Sequence, residues 1–144
     1  MSKKYAQDMF YPKNPNKLIG KQSIMYRSSW ELSVMHFFDT HPSIIQWASE
    51  SISIRYVNPF KPNSPTFYIP DFLVLYQDKF GNHNKELIEV KPRREAIAKF
   101  AITAKDKMAL QVNTMKWAAA QAFCKKTGLK FVVLTEEQIY AGIK

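Results

Sequence analysis

The sequence predicts an α/β domain with a central mixed β-sheet flanked by α-helices. Three observations predict it. An apolar pattern of helical period lies in the first third of the chain, and period-2 runs rich in aromatic and β-branched residues fill the middle. A long glycine-free helical stretch followed by a short apolar run then closes it. At 144 residues the chain is sized for one domain with no internal repeat or second-domain boundary. Its 46% hydrophobic and 14% aromatic residues are enough to fill a core.

Residues 1–21 are basic and interrupted by Pro12 and Pro15, which predicts an irregular arm that orders only on a partner. Over 27–40, Trp30, Val34, Phe37 and Phe38 recur at helical spacing, with Ser28 or Ser29 available as a cap and Pro42 closing the far end. In 51–57 the alternation of Ile52, Ile54 and Tyr56 predicts a strand with one face buried. Pro59, Pro62 and Pro65 make 58–65 an exposed loop.

Two further strands, 67–76 and 85–91, are joined across a turn that contains Gly81-Asn82, which predicts a hairpin. Residues 96–126 are helical, in one piece or in two joined near 103–107, and Gly128 stops them. A buried strand over 130–134 and a short helix over 136–143, begun by Thr135, complete the order.

Lys plus Arg number 21 against 12 Asp plus Glu, a formal charge of +9. A polyanion is therefore the first partner to consider, and nucleic acid fits better than a membrane. No apolar run approaches the roughly 20 residues that cross a bilayer, and no signal-peptide core follows the first residues, so a soluble intracellular chain is expected. The single Cys124 reads as a small buried hydrophobe on a helix. Together with His36, His41 and His83 it offers no zinc-ligand spacing, so any metal is expected to be oxygen-ligated.

Chemistry concentrates in the predicted hairpin. Pro70-Asp71-Phe72 lies in one strand and Glu89-Val90-Lys91 in the next, so alternation places Glu89 and Lys91 on one face and Val90 on the other. If the register sets Asp71 opposite that pair, two carboxylates and an ammonium converge. Neighbouring carboxylates repel unless a cation lies between them, and a hard oxygen site with open positions suits Mg²⁺, with Mn²⁺ as the alternative. Such a metal polarises a phosphodiester and acidifies a bound water, while Lys91 orients that water or steadies developing charge.

Each piece has a plainer explanation: a charged triplet on a solvated strand face, or an Asp capping a strand entry. Charged groups set together inside apolar strands need a reason to be there, and catalysis supplies one. Glu31, in the first turn of the first helix, is also explained by the helix dipole alone. Arg27, Ser28 and Ser29 suit either phosphate contacts at that helix terminus or capping with a surface Arg. Arg93 and Arg94 suit phosphate contacts or a basic loop start, and Trp30, Trp47 and Trp117 read as core.

Several runs carry a family resemblance. They are Tyr26-Arg27-Ser28-Ser29-Trp30-Glu31, His41-Pro42, Trp47-Ala48-Ser49-Glu50, Tyr68-Ile69-Pro70-Asp71-Phe72 and Ile88-Glu89-Val90-Lys91-Pro92. Together they resemble the PD-(D/E)xK nuclease superfamily, in particular its transposase-type endonucleases. In length and motif order the chain is most similar to the small head-completion nucleases of T-even-type tailed phages.

The resemblance implies a restriction-endonuclease-like fold. It implies Glu31, Asp71 and Glu89 as metal-site carboxylates and Lys91 as the catalytic lysine. It also implies that Lys116 or Asn113, on the later helix, turns back toward the site. Transposase relatives can carry Gln at the third acidic position, whereas Glu89 keeps the acid here.

The expected activity is a Mg²⁺-dependent DNA endonuclease that trims or processes DNA ends during phage head completion. Its partners are then DNA and phage head or portal proteins, in the host cytoplasm or virion-associated. Binding mainly through phosphates predicts low sequence specificity and high salt sensitivity. The alternatives are a junction-resolving or transposon-end nuclease, and a non-catalytic DNA-binding head-assembly protein.

Overall fold

A computed structural model describes residues 8–140. The elements run β1 (Asp8–Phe10), β2 (Ile24–Tyr26), α1 (Ser29–Thr40), β3 (Ile44–Ser49), β4 (Ile54–Tyr56), β5 (Thr66–Tyr68), β6 (Phe72–Gln77), β7 (His83–Val90), α2 (Ala104–Thr127), β8 (Lys130–Leu134) and α3 (Glu136–Tyr140). The central sheet has the order β3-β6-β7-β8. Its first three strands are antiparallel, and β8 runs parallel to β7, so the sheet is mixed. With helices packed against it, this is the predicted α/β architecture, and it is consistent with a restriction-endonuclease-like fold.

Strand alternation divides the core in two. Phe72, Val74, Ile88 and Val90 point toward Val34, Met35 and Phe38 of α1, and the fully buried Trp47 of β3 packs with them. Leu87 points the other way, with Leu73 and Phe131, toward Ala120 and Cys124 on α2 and the β4–β5 ribbon. Cys124 is the buried, unpaired cysteine expected. Trp30 and Trp117 pack against the two cores, as expected of core tryptophans.

Capping sets both long helices. Ser28 Oγ accepts the Glu31 amide at the start of α1, and Thr103 Oγ1 accepts the Asp106 amide at the start of α2. Gly128, at φ 76°, ends α2 in the left-handed conformation that glycine adopts without a Cβ penalty. Of the helical stretch expected over 96–126 only the part from Ala104 is α-helix, in one piece; residues 96–103 are not α-helical and hold the 3₁₀ turn Ala98–Phe100, after a first such turn at Arg93–Glu95.

The structure departs from expectation in three further places. First, β3 is an edge strand of the central sheet where none was expected. A register shift between Ile44 and Gln46 breaks its alternation, so its buried positions do not follow period 2. Second, the expected strand 67–76 is two strands. Pro70 has no N–H to donate, and it separates β5, paired with β4 in a ribbon of its own, from β6 in the central sheet.

Third, the basic lead-in is packed as far as it is described; residues 1–7 lie outside the described residues. β1 pairs with β2, and Phe10 and Leu18 enter the core. The buried Asp39 accepts the amides of Lys13 at 2.8 Å and Asn14 at 2.9 Å. Asp39 thus ties the lead-in to α1. Of the final helix, residues 141–143 also lie outside the described residues.

Candidate active site

The β6–β7 register pairs Phe72 with Ile88, which sets Asp71, just before β6, beside Glu89 near the end of β7. The Val90 amide donates to Asp71 Oδ2 at 2.8 Å, and the Asp71 amide lies 3.3 Å from Glu89 Oε1. Lys91 follows with its Nζ 3.9 Å from Glu89 Oε2. The Lys91 amide bonds Leu134 O at 2.9 Å, so parallel pairing with β8 fixes its main chain. Asp71, Glu89 and Lys91 therefore meet at one end of the sheet, at the register on which their convergence was conditional.

The electrostatics are those of a site short of positive charge. Burial, and then the charge of Glu89, raises the Asp71 carboxyl well above the ordinary range, against the opposing Val90 amide. Burial also raises Glu89, with Lys91 opposing it. Hard oxygen donors on two buried, mutually repelling carboxylates suit Mg²⁺, which binds through one or two carboxylates and keeps several waters. Among the described residues no three acidic, His or Cys side chains are gathered closely enough to hold a metal by themselves. The donor set that fits a metal is the Asp71–Glu89 pair.

Glu31, in the first turn of α1, lies within electrostatic reach of Asp71 and Lys91. Its carboxylate accepts the Arg27 amide at 3.0 Å, and burial raises its pKa. A pocket of about 480 Å³ is lined by Arg27, Ser28, Ser29, Glu31, Lys91 and Arg94 among others. The α1 N-terminus and the catalytic-lysine candidate thus face one space.

The remaining basic candidates are held in different ways. Lys116, on α2, lies 5.8 Å and 5.5 Å from the ring centres of Tyr56 and Tyr68. Burial and then Lys91 lower its pKa, while Glu89 and Asp71 oppose the shift, so it lies within electrostatic reach of the acidic pair. Asn113 instead donates to Glu95 O at 3.1 Å, a structural bond on the same helix face. Arg93 is paired with Glu137 at 3.1 Å and stacks 4.4 Å from the Phe100 ring centre. Arg94 lies 3.7 Å from Asp106 and half exposed at the pocket.

Two residues near the site had no assigned role from the sequence. The Tyr68 hydroxyl is buried beside Glu89 and the Trp117 indole, and burial raises its pKa strongly. Its place two residues before Pro70-Asp71, on the α2-facing parity, was the available signal. Glu50 follows β3 at φ 51°, the one non-glycine positive φ among the described residues. That conformation costs a residue with a Cβ about 1–2 kcal/mol. The Glu50 amide bonds Asp71 O at 2.9 Å, and its carboxylate pairs with the Arg27 guanidinium.

Comparison with known proteins is in accord with this geometry. The family described as TnsA-like endonuclease N terminal matches residues 41–136. That span holds Asp71, Glu89, Lys91 and Lys116, while Glu31 lies ahead of it. The chain is also similar to the head completion nuclease of Enterobacteria phage T4. The two are 32% identical over 141 residues, covering 90% of this chain and 91% of the relative. Two-thirds of the chain thus fits one family of nuclease domains, and nine-tenths of it aligns with one nuclease. The chain belongs to the TnsA-like endonuclease N-terminal family.

Proposed function

We propose that the chain is a single-domain, divalent-metal-dependent DNA endonuclease that processes DNA ends during phage head completion. The observation that carries the reading is the buried Asp71–Glu89 pair with Lys91 at 3.9 Å, beside the pocket under the α1 N-terminus. The phage setting rests on the similarity to the T4 head completion nuclease. That setting implies phage head or portal proteins as partners, and the host cytoplasm or the virion as location. No helix among the described residues is long and apolar enough to cross a membrane.

Asp71 and Glu89 would hold the cation, Mg²⁺ or Mn²⁺, with Glu31 as the further acid that the family pattern assigns to the metal site. When bound, that cation supplies Lewis-acid polarisation of a phosphodiester oxygen and lowers the pKa of a water. Lys91 stabilises charge developing on the attacked phosphate or orients the nucleophile. Phosphate oxygens on either side are received by the α1 N-terminus with Arg27, Ser28 and Ser29, and by Arg93, Arg94 and Lys116. The charge of +9 favours binding that is largely independent of sequence.

The test is cleavage of linear duplex DNA with Mg²⁺, then EDTA, then excess Mg²⁺, with Asp71→Asn in parallel. Cleavage that EDTA abolishes, Mg²⁺ restores and Asp71→Asn lacks is the expected result. Cleavage indifferent to both treatments would overturn the mechanism, and the absence of any cleavage by the wild type would overturn the activity.

A further inference from the structure

We propose that Glu50 is a positioning residue of this site, tying Glu31 on α1 to Asp71 at the sheet end through Arg27. Three contacts make the tie. The Glu50 amide bonds the Asp71 carbonyl at 2.9 Å, the Glu50 carboxylate holds the Arg27 guanidinium, and the Arg27 amide bonds Glu31 Oε1 at 3.0 Å. Glu31 and Asp71 belong to elements far apart in sequence, and this chain of contacts spans them. The Arg27 pKa is raised first by its bond to Glu50, with a smaller part from Glu31. The guanidinium is thus bound to Glu50 while the Arg27 main chain holds Glu31.

Backbone conformation gives an independent argument. At φ 51° a glycine would be relaxed, yet the position carries a long acidic side chain. Strain of this kind persists where the surroundings impose it, and it clusters at functional sites. Stability is a weak reason to keep the side chain. The ion pair is exposed at 51% on Arg27 and 35% on Glu50, where such pairs contribute little. Geometry is the better reason, because small displacements of reacting groups are costly to rate.

The inference rests on the nuclease reading and is tested with and without it. Glu50→Gln is expected to lower kcat about 10- to 100-fold with KM for duplex DNA changed less than about threefold. Combined with Arg27→Gln, the loss should be no greater than that of the worse single variant, as for residues acting in one chain. Glu50→Gly should melt at or above the wild-type temperature and show the same loss of kcat, which separates positioning from folding.

Amide hydrogen exchange reads the tie without catalysis. In Glu50→Gln the Arg27 amide should exchange at least about tenfold faster, with Val34, in the middle of α1, unchanged. If the wild type does not cut DNA, the nuclease reading falls and this exchange result alone decides the tie. Unchanged exchange at Arg27 overturns the inference, as do multiplying losses in the double variant or full kcat in Glu50→Gln. A lower KM in Glu50→Gln with unchanged kcat also overturns it, because Glu50 would then only mask Arg27 from DNA.

Discussion

Asp71 and Glu89 are held face to face by main chain from both sides. The Val90 amide fixes one Asp71 oxygen at 2.8 Å, and the Asp71 amide approaches Glu89 at 3.3 Å. The backbone imposes a proximity that the two charges oppose. Burial is the first cause of the raised pKa of each acid, and for Asp71 the charge of Glu89 adds to it; a cation is the group that relieves both.

That conflict predicts how stability responds to pH and metal. Because both pKa values are raised in the folded chain, their contribution is full below the unfolded carboxyl values, about 4. It is lost as pH rises through the raised folded values. At neutral pH without metal, Asp71→Asn should therefore melt higher than the wild type. Relief of a buried charge is worth on the order of 1 kcal/mol, or about 2–4 °C for a chain of this size. Mg²⁺ should raise the wild-type melting temperature and leave the variant unmoved. Thermal melts in EDTA and in Mg²⁺ check both, and a variant less stable than the wild type in EDTA would refute the conflict.

The two lysines near the acids should separate by kinetics. Lys91→Met is expected to lower kcat about 10²- to 10⁴-fold with DNA binding little changed, because its ammonium serves the reacting phosphate. Lys116→Met removes a cation that lies over the Tyr68 ring and within electrostatic reach of Asp71 and Glu89. The acids should then hold Mg²⁺ more tightly while DNA binds less well. One lost phosphate contact reduces the slope of log K against log salt by about 0.9. Metal and salt titrations of the two variants distinguish these roles, and an unchanged salt slope in Lys116→Met would remove Lys116 from the DNA interface.

What the sequence disclosed follows the range of the interactions concerned. The Glu89–Lys91 face was legible because period-2 alternation fixes it locally, while the approach of Asp71 depended on the register Phe72↔Ile88, which the structure supplies. β8 was legible as five uninterrupted residues after a glycine cap. β3 was hidden by its bulge, and the break between β5 and β6 was marked only by Pro70. Glu50 was hidden more deeply, since a left-handed φ at a glutamate has no signature in composition or period.

The lead-in was misread for another reason: its partner, Asp39, lies about 25 residues along the chain. Asp39→Ala should cost about 2–3 kcal/mol, the range for charge-assisted hydrogen bonds lost in a buried setting. Proteolysis near residues 11–17 should quicken with it. A variant as stable and as protease-resistant as the wild type would show that β1–β2 pairing alone holds the segment.

Ser28 poses the question of cap against phosphate site most sharply. Its Oγ accepts the Glu31 amide at 3.1 Å, so the side chain that shapes the first turn of α1 also steadies the segment carrying Glu31. Ser28→Ala removes the acceptor and should cost about 1 kcal/mol. Ser28→Asp keeps an acceptor and suits the positive end of the helix, so it should melt close to the wild type. It also adds a negative charge to the wall of the pocket beside Arg27 and Lys91. If DNA phosphate enters there, KM should rise by about tenfold or more in Ser28→Asp, and by much less in Ser28→Ala despite its lower stability. The opposite ranking, with Ser28→Asp binding DNA as the wild type does, would leave Ser28 as a cap alone and move the phosphate path away from the α1 N-terminus.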